Sequence, residues 1–168
     1  IWYAMTPYTL KADVLADMAA RLLEMKYLRS IREELSAAYH AGATASVFTD
    51  KDGLAAVNIV GSAQLNPEKS DAAIPCFFQG MKEVVAGADA ADLQKVKEIL
   101  LKQADVDSRE NSHWLSVPIN YATRGVDTHT DYKKTVNEID SKQISDFLQN
   151  TILKSGNHVE VIMKAVKE

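Results

Sequence analysis

Apolar residues recur every three or four positions from Leu15 through Met18, Leu22 and Met25, and on through Leu28, Ile31 and Leu35. The period then drops to two: Ala43, Ala45 and Val47 alternate with Thr44, Ser46 and Phe48. The first pattern predicts an amphipathic helix from about Lys11 to Ala37 with an apolar stripe against a core, and we place a break in it near Arg29-Ser30. The second predicts a strand with one face turned inward. Asp50-Lys51-Asp52-Gly53 reads as a turn, and Leu54 to Gly61 as the returning strand of a hairpin. A helix feeding directly into an antiparallel hairpin leaves few architectures open, because both elements need the same apolar layer.

The flanking segments narrow the choice further. Ile1 to Met5 is apolar and strand-like, ended by Thr6-Pro7-Tyr8-Thr9. After the hairpin, Asn66-Pro67-Glu68 offers a capping Asn with proline at the first helical position. Ile74, Phe77, Phe78, Met81 and Val85 then mark the expected buried face of a helix, with Cys76 as buried filler. Asp89 to Asp92 caps another, lined by Leu93, Val96, Ile99 and Leu100. Glu110 to Leu115 opens a helix that contains Pro118, so a kink is expected near Trp114. Asp127 to Asp131 reads as a polar loop and Tyr132 to Glu138 as a short helix. Asp140-Ser141-Lys142-Gln143 is a capping box before Ile144, Phe147, Leu148 and Ile152. Val159, Val161 and Met163 predict a closing strand that inserts beside the earlier ones. Strand, helix, hairpin, several helices, strand is not a βαβ alternation. It predicts an α+β layer, an antiparallel sheet with several helices packed on one face. Four strands are few for so many helices, which points to missing first strands upstream.

Several function classes lose support at this stage. The chain has 168 residues and a formal charge of −4, with no Lys/Arg-rich face, so nucleic acid is not an expected partner. No apolar run approaches the length needed to span a bilayer, so a membrane is not expected either. His40, His113, His129 and His158 are scattered and read as ordinary surface or loop histidines; neither an H-x-x-E-H nor a C-x-x-C motif occurs. Cys76 is the sole cysteine, so no internal disulfide can form. No nucleophile elbow, P-loop or dinucleotide fingerprint is present.

What remains is Arg32 and Tyr39, seven residues apart across the helix-to-strand transition. Read bottom-up, a cation near a helix C-terminus and a tyrosine starting a strand are ordinary features. The same two groups could also converge on a developing oxyanion or a substrate carbonyl. Asn111 and Trp114 share a helix face, and packing is the expected role there.

The run Leu22-Leu23, Ile31-Arg32-Glu33-Glu34-Leu35 and Tyr39, followed by a hairpin ending in Val60-Gly61, resembles the C-terminal-half domain of the pitrilysin/insulinase zinc peptidases, the inverted-zincin group with an H-x-x-E-H motif. The acidic helix start at Asp89 to Asp92, the Glu110 to Leu115 segment and the ending His158 to Met163 extend the likeness, which is closest to bacterial periplasmic zinc proteases. The resemblance implies a domain like that of the mitochondrial processing peptidase, with residues 1–168 as a C-terminal, non-zinc-binding fragment of a longer chain. It implies that zinc is bound by another domain, an N-terminal one of the same protein or a partner subunit. Tyr39 would then donate to the scissile carbonyl of a peptide substrate, while Arg32 anchors the substrate backbone or supports the tyrosine. On this footing the isolated chain has no peptidase activity, and a periplasmic location follows from the resemblance alone. The link departs from the family pattern: where Gly usually precedes the tyrosine, this chain has Ser36-Ala37-Ala38. The alternative is a non-catalytic domain of the same fold that holds partner domains.

Overall fold

A computed structural model describes residues 1–49 and 54–163. Three strands, β1 (Trp2–Pro7), β2 (Ala38–Thr49) and β3 (Leu54–Leu65), form one antiparallel sheet in the order β1-β3-β2. Register explains which side chains are covered. Trp2 and Ala4 of β1, Ala41 and Ala43 of β2, and Val57 and Ile59 of β3 are buried on one face. Residues at the alternate positions along the strands, such as Tyr3 and Met5 of β1 and Phe48 of β2, are exposed on the other. The hairpin expected at β2 and β3 is present, and β3 extends four residues beyond Gly61. Its turn at 50–53 lies outside the described residues.

Helix α1 (Leu10–Tyr27) covers the inner face, capped at its start by the Thr9 hydroxyl, which accepts from the Ala12 N–H at 3.0 Å. Helices α2 (Ser70–Ala86), α3 (Ala90–Asp107), α5 (Tyr132–Glu138) and α6 (Ser141–Phe147) pack on the same side, so the fold is α+β with helices on one face of the sheet. The predicted caps are formed. The Asp89 carboxylate accepts from the Ala91 and Asp92 N–H groups, and Asp140 and Gln143 complete a capping box. Helix α4 (Asn111–Arg124) runs unbroken through Pro118 and contains no buried residue.

Tyr27 is the central piece of the core. It is fully buried at the last position of α1, its ring lying between two glycines. A Cβ on Gly80 would stand 2.7 Å from its Cε1, and one on Gly61 would stand 3.0 Å from its Cε2. The Tyr27 hydroxyl donates to the Phe77 carbonyl at 3.2 Å, and burial pushes its pKa above the ordinary tyrosine range. Helix α2 can therefore lie close to β3 only because both contact points lack side chains.

Four expectations need correction. Cys76 is half-buried rather than core, its thiol directed to the Ala72 carbonyl of its own helix. Phe77 and Phe78 are half-buried as well, because they border an open apolar cleft rather than the interior. Ile99 is exposed: α3 turns Leu93, Val96 and Leu100 inward, and Ile99 falls outside that stripe. The final segment is not a regular strand. It meets β1 and the residue before it through one antiparallel bridge, Trp2 with His158, through the Tyr3 N–H donating to the Asn157 carbonyl and through the paired bonds of Ile1 and Val159, then leaves Val161 and Met163 exposed.

Candidate functional site

The junction between α1 and β2 contains three departures from regular backbone within fourteen residues. From Leu28 to Glu34 the helix widens into a π-helical turn, with the Leu35 N–H donating to the Ser30 carbonyl five residues back at 3.1 Å. This is where the break was expected from sequence. Ser36 then takes φ +47°, the sole non-glycine residue of positive φ among the described residues. Next comes a β-bulge. Ala38 pairs with Leu65 but Ala41 pairs with Ala63, so Tyr39 and His40 together oppose one residue of β3.

The bulge decides where Tyr39 points. Counting back from Ala43 and Ala41 at a period of two, Tyr39 would fall on the helix-covered face of the sheet. The extra residue breaks that phase, and Tyr39 stands 89% exposed. The π-turn acts on its partner in the same way, because adding a residue to a helical turn rotates the side chains after it about the helix axis. Ile31 is buried and Arg32 beside it is exposed. The Arg32 guanidinium carbon lies 5.7 Å from the centroid of the Tyr39 ring, a cation–π contact. The structure thus brings together the two residues singled out from the sequence. Among the described residues, neither the guanidinium nor the phenol has a hydrogen-bond partner, so both retain donors for another molecule.

Two neighbours were not found from sequence. The His40 imidazole folds back over Gly42, and the Glu24 carboxylate of α1 reaches the same place. They lie 3.1 Å and 3.6 Å from where a Gly42 Cβ would stand. The signal available was Gly42, a glycine inside a strand, which marks close approach of another group. An apolar cleft of about 680 Å³, bordered by Trp2, Ile74, Phe77 and Phe78, extends to Leu65, the strand partner of Ala38 beside Tyr39.

The remaining sequence candidates lie elsewhere. His113 and His129 meet with Nε2 and Nδ1 3.0 Å apart, and Trp114 packs edge-on against both while its indole N–H donates to the Ser108 carbonyl at 2.8 Å. Asn111 begins α4 and is exposed. His40 and His158 are exposed. Among the described residues no three or more His, Cys, Asp or Glu side chains converge, so the donors at hand do not fit a zinc site.

No protein-family profile and no curated protein matches the sequence. Solved structures do. A protease from Helicobacter pylori superposes with a TM-score of 0.67 over 89% of this chain and 36% of its own, at 13% identity. The periplasmic protease PqqL of Escherichia coli gives 0.65 over 89% of this chain at 16% identity. The fold is shared with proteases. A Bordetella pertussis protein provisionally named a zinc protease matches at 0.62 and 13% identity, over 91% of this chain and 87% of its own. This chain spans 17% of PqqL, so that fold is one portion of a longer polypeptide there.

Proposed function

We propose that this chain is the substrate-clamping domain of a zinc-dependent endopeptidase of the pitrilysin/insulinase type, acting on peptides or unfolded proteins. The observation that carries the reading is the outward Arg32–Tyr39 pair, 5.7 Å apart, produced by a π-turn and a bulge in a fold shared with proteases. Backbone irregularities of this kind gather where a side chain must be aimed.

In this reading the Tyr39 hydroxyl donates to the carbonyl oxygen of the scissile peptide as negative charge builds there. Such a positioned donor contributes about 3 kcal/mol to lowering the barrier. Arg32 holds the phenol ring from one side and offers its remaining N–H groups to the substrate backbone. The apolar cleft reaching Leu65 leaves room for a substrate side chain. In this reading zinc is held by another domain or subunit, and residues 1–168 by themselves are inactive. The likeness to PqqL and the Bordetella protein supports a protease context for the pair.

A second reading has its own support. Leu115 and Ile119 of α4, four residues apart on one helix face, are exposed at 66% and 59%, a surface suited to holding a partner domain without cleaving anything. A quenched-peptide assay of the full-length protein separates the two. The peptidase reading expects turnover that a chelator abolishes and zinc restores; absence of turnover with zinc supplied supports the assembly reading instead.

A further inference from the structure

The Arg32–Tyr39 geometry depends on Ser36, which sits in the left-handed region at φ +47°. That conformation crowds any Cβ, and glycine is the residue that takes it without cost. With serine in place, some other contact must hold the turn. Lys69 supplies one from outside the junction. Its ammonium donates to the Leu35 carbonyl at 2.9 Å and to the Ser36 carbonyl at 3.1 Å, spanning both sides of the strained residue. These carbonyls close the C-terminal end of the π-turn that carries Arg32, where a cation also opposes the negative end of the helix. The short helical turn Pro67–Lys69 presents that lysine, and the Asn66 N–H adds a backbone bond to the Ala37 carbonyl at 2.8 Å. The segment after β3 thereby grips every residue from Leu35 to Ala37 just before Tyr39.

We propose that Lys69 is a positioning residue: it holds Ser36 in its left-handed conformation and so fixes Tyr39 against Arg32. It touches neither side chain of the pair. The inference rests on the proposed peptidase role only for its effect on turnover; its effect on geometry stands apart. A serine here rather than a glycine makes the site dependent on a surface ammonium.

The test is Lys69→Met, which keeps the stem and removes the donor, with Ser36→Gly as the compensating change. Two readouts are needed. One is the ring-current shift on the Arg32 side-chain resonances near the Tyr39 ring, followed by NMR on this chain; the other is peptide turnover by the full-length protein. Lys69→Met is expected to move the Arg32 resonance and to lower kcat about three- to tenfold, leaving KM within about twofold. Adding Ser36→Gly should bring both readouts back to within about twofold of the Ser36→Gly single variant, and Lys69→Arg should retain most of the native signal. A lysine that merely stabilised the fold would not be rescued by glycine at position 36. An unchanged Arg32 resonance in Lys69→Met, or no rescue by Ser36→Gly, overturns the proposal. A resonance that moves and is rescued while turnover stays constant supports the positioning and counts against the peptidase reading.

Discussion

The junction from Leu28 to Ala41 and the helix α4 are opposites. The junction is irregular at three successive points, yet it is anchored in the core: Ile31, Ala37 and Ala41 within it and Tyr27 just before it are all buried. Helix α4 is regular from Asn111 to Arg124 and has nothing buried. It is held by the Trp114 bond to Ser108, the His113–His129 contact, and Arg124, whose guanidinium donates to the Tyr8 hydroxyl at 3.2 Å and lies 5.2 Å from that ring. Backbone regularity and firm anchoring are therefore separate properties. The comparison also separates two uses of polar groups. His113, Trp114 and Arg124 of α4 each bond to a partner elsewhere in the chain, whereas Arg32 and Tyr39, among the described residues, meet only each other and keep their donors open.

The contrast can be broken first at its base. Tyr27→Ala removes a fully buried ring and leaves two glycines facing an empty space, so it should cost about 3–5 kcal/mol of stability. Urea unfolding would measure this, and the Arg32–Tyr39 contact should loosen with it. Gly80→Ala is a finer test. Alanine favours a helix interior by about 1 kcal/mol over glycine. Its methyl would meet the immobile Tyr27 ring at 2.7 Å, and overpacking of that kind costs about 1–3 kcal/mol. Net destabilisation is expected, and a raised melting temperature would refute the close-packing account. Trp114→Ala on α4 should cost under about 1 kcal/mol, because half of its surface is already in water.

The smallest effect concerns pH. Asp127 is exposed, and its carboxylate is drawn down to about 2, first by the Thr130 hydroxyl and then by the Thr130 and His129 N–H groups. A depressed folded-state pKa gives stability that is present above the unfolded value of about 3.9 and is lost as pH falls toward 2. Protection of the His129 and Thr130 amides, taken relative to the intrinsic exchange rate at each pH, should therefore fall between about pH 4 and pH 2, with the junction unaffected. Asp127→Asn should remove that pH dependence.

Much of this was readable in the residues. The stripe Leu15, Met18, Leu22 predicted the buried face of α1, the alternation from Ala43 predicted the facing of β2, and Asp140 with Gln143 predicted a cap that is formed. The π-turn left a trace as the expected break near Arg29-Ser30. The bulge left none: an extra residue in a strand has no periodic signature, and counting back at a period of two hides Tyr39 on the covered face. The final segment misled for a related reason, since Val159, Val161 and Met163 alternate like a strand while the pairing stops at Val159, after Asn157, His158 and Val159 have met Tyr3, Trp2 and Ile1. Helix α4 carries apolar residues in number, and nothing in its pattern says they stay outside the core. The meeting of His113 with His129, sixteen residues apart, depends on a loop whose course only the fold sets.

The central claim is that exposure at the junction differs in kind from exposure on α4. Tyr39 and Tyr121 are both largely exposed, and each loses one hydroxyl on replacement by phenylalanine. The decisive measurement is kcat of the full-length protein on a quenched peptide for Tyr39→Phe and Tyr121→Phe, with melting temperatures recorded alongside. A loss of about a hundredfold or more for Tyr39→Phe, none for Tyr121→Phe, and unchanged melting for both is the predicted result. Undiminished turnover in Tyr39→Phe, or equal losses in the two variants, would contradict it.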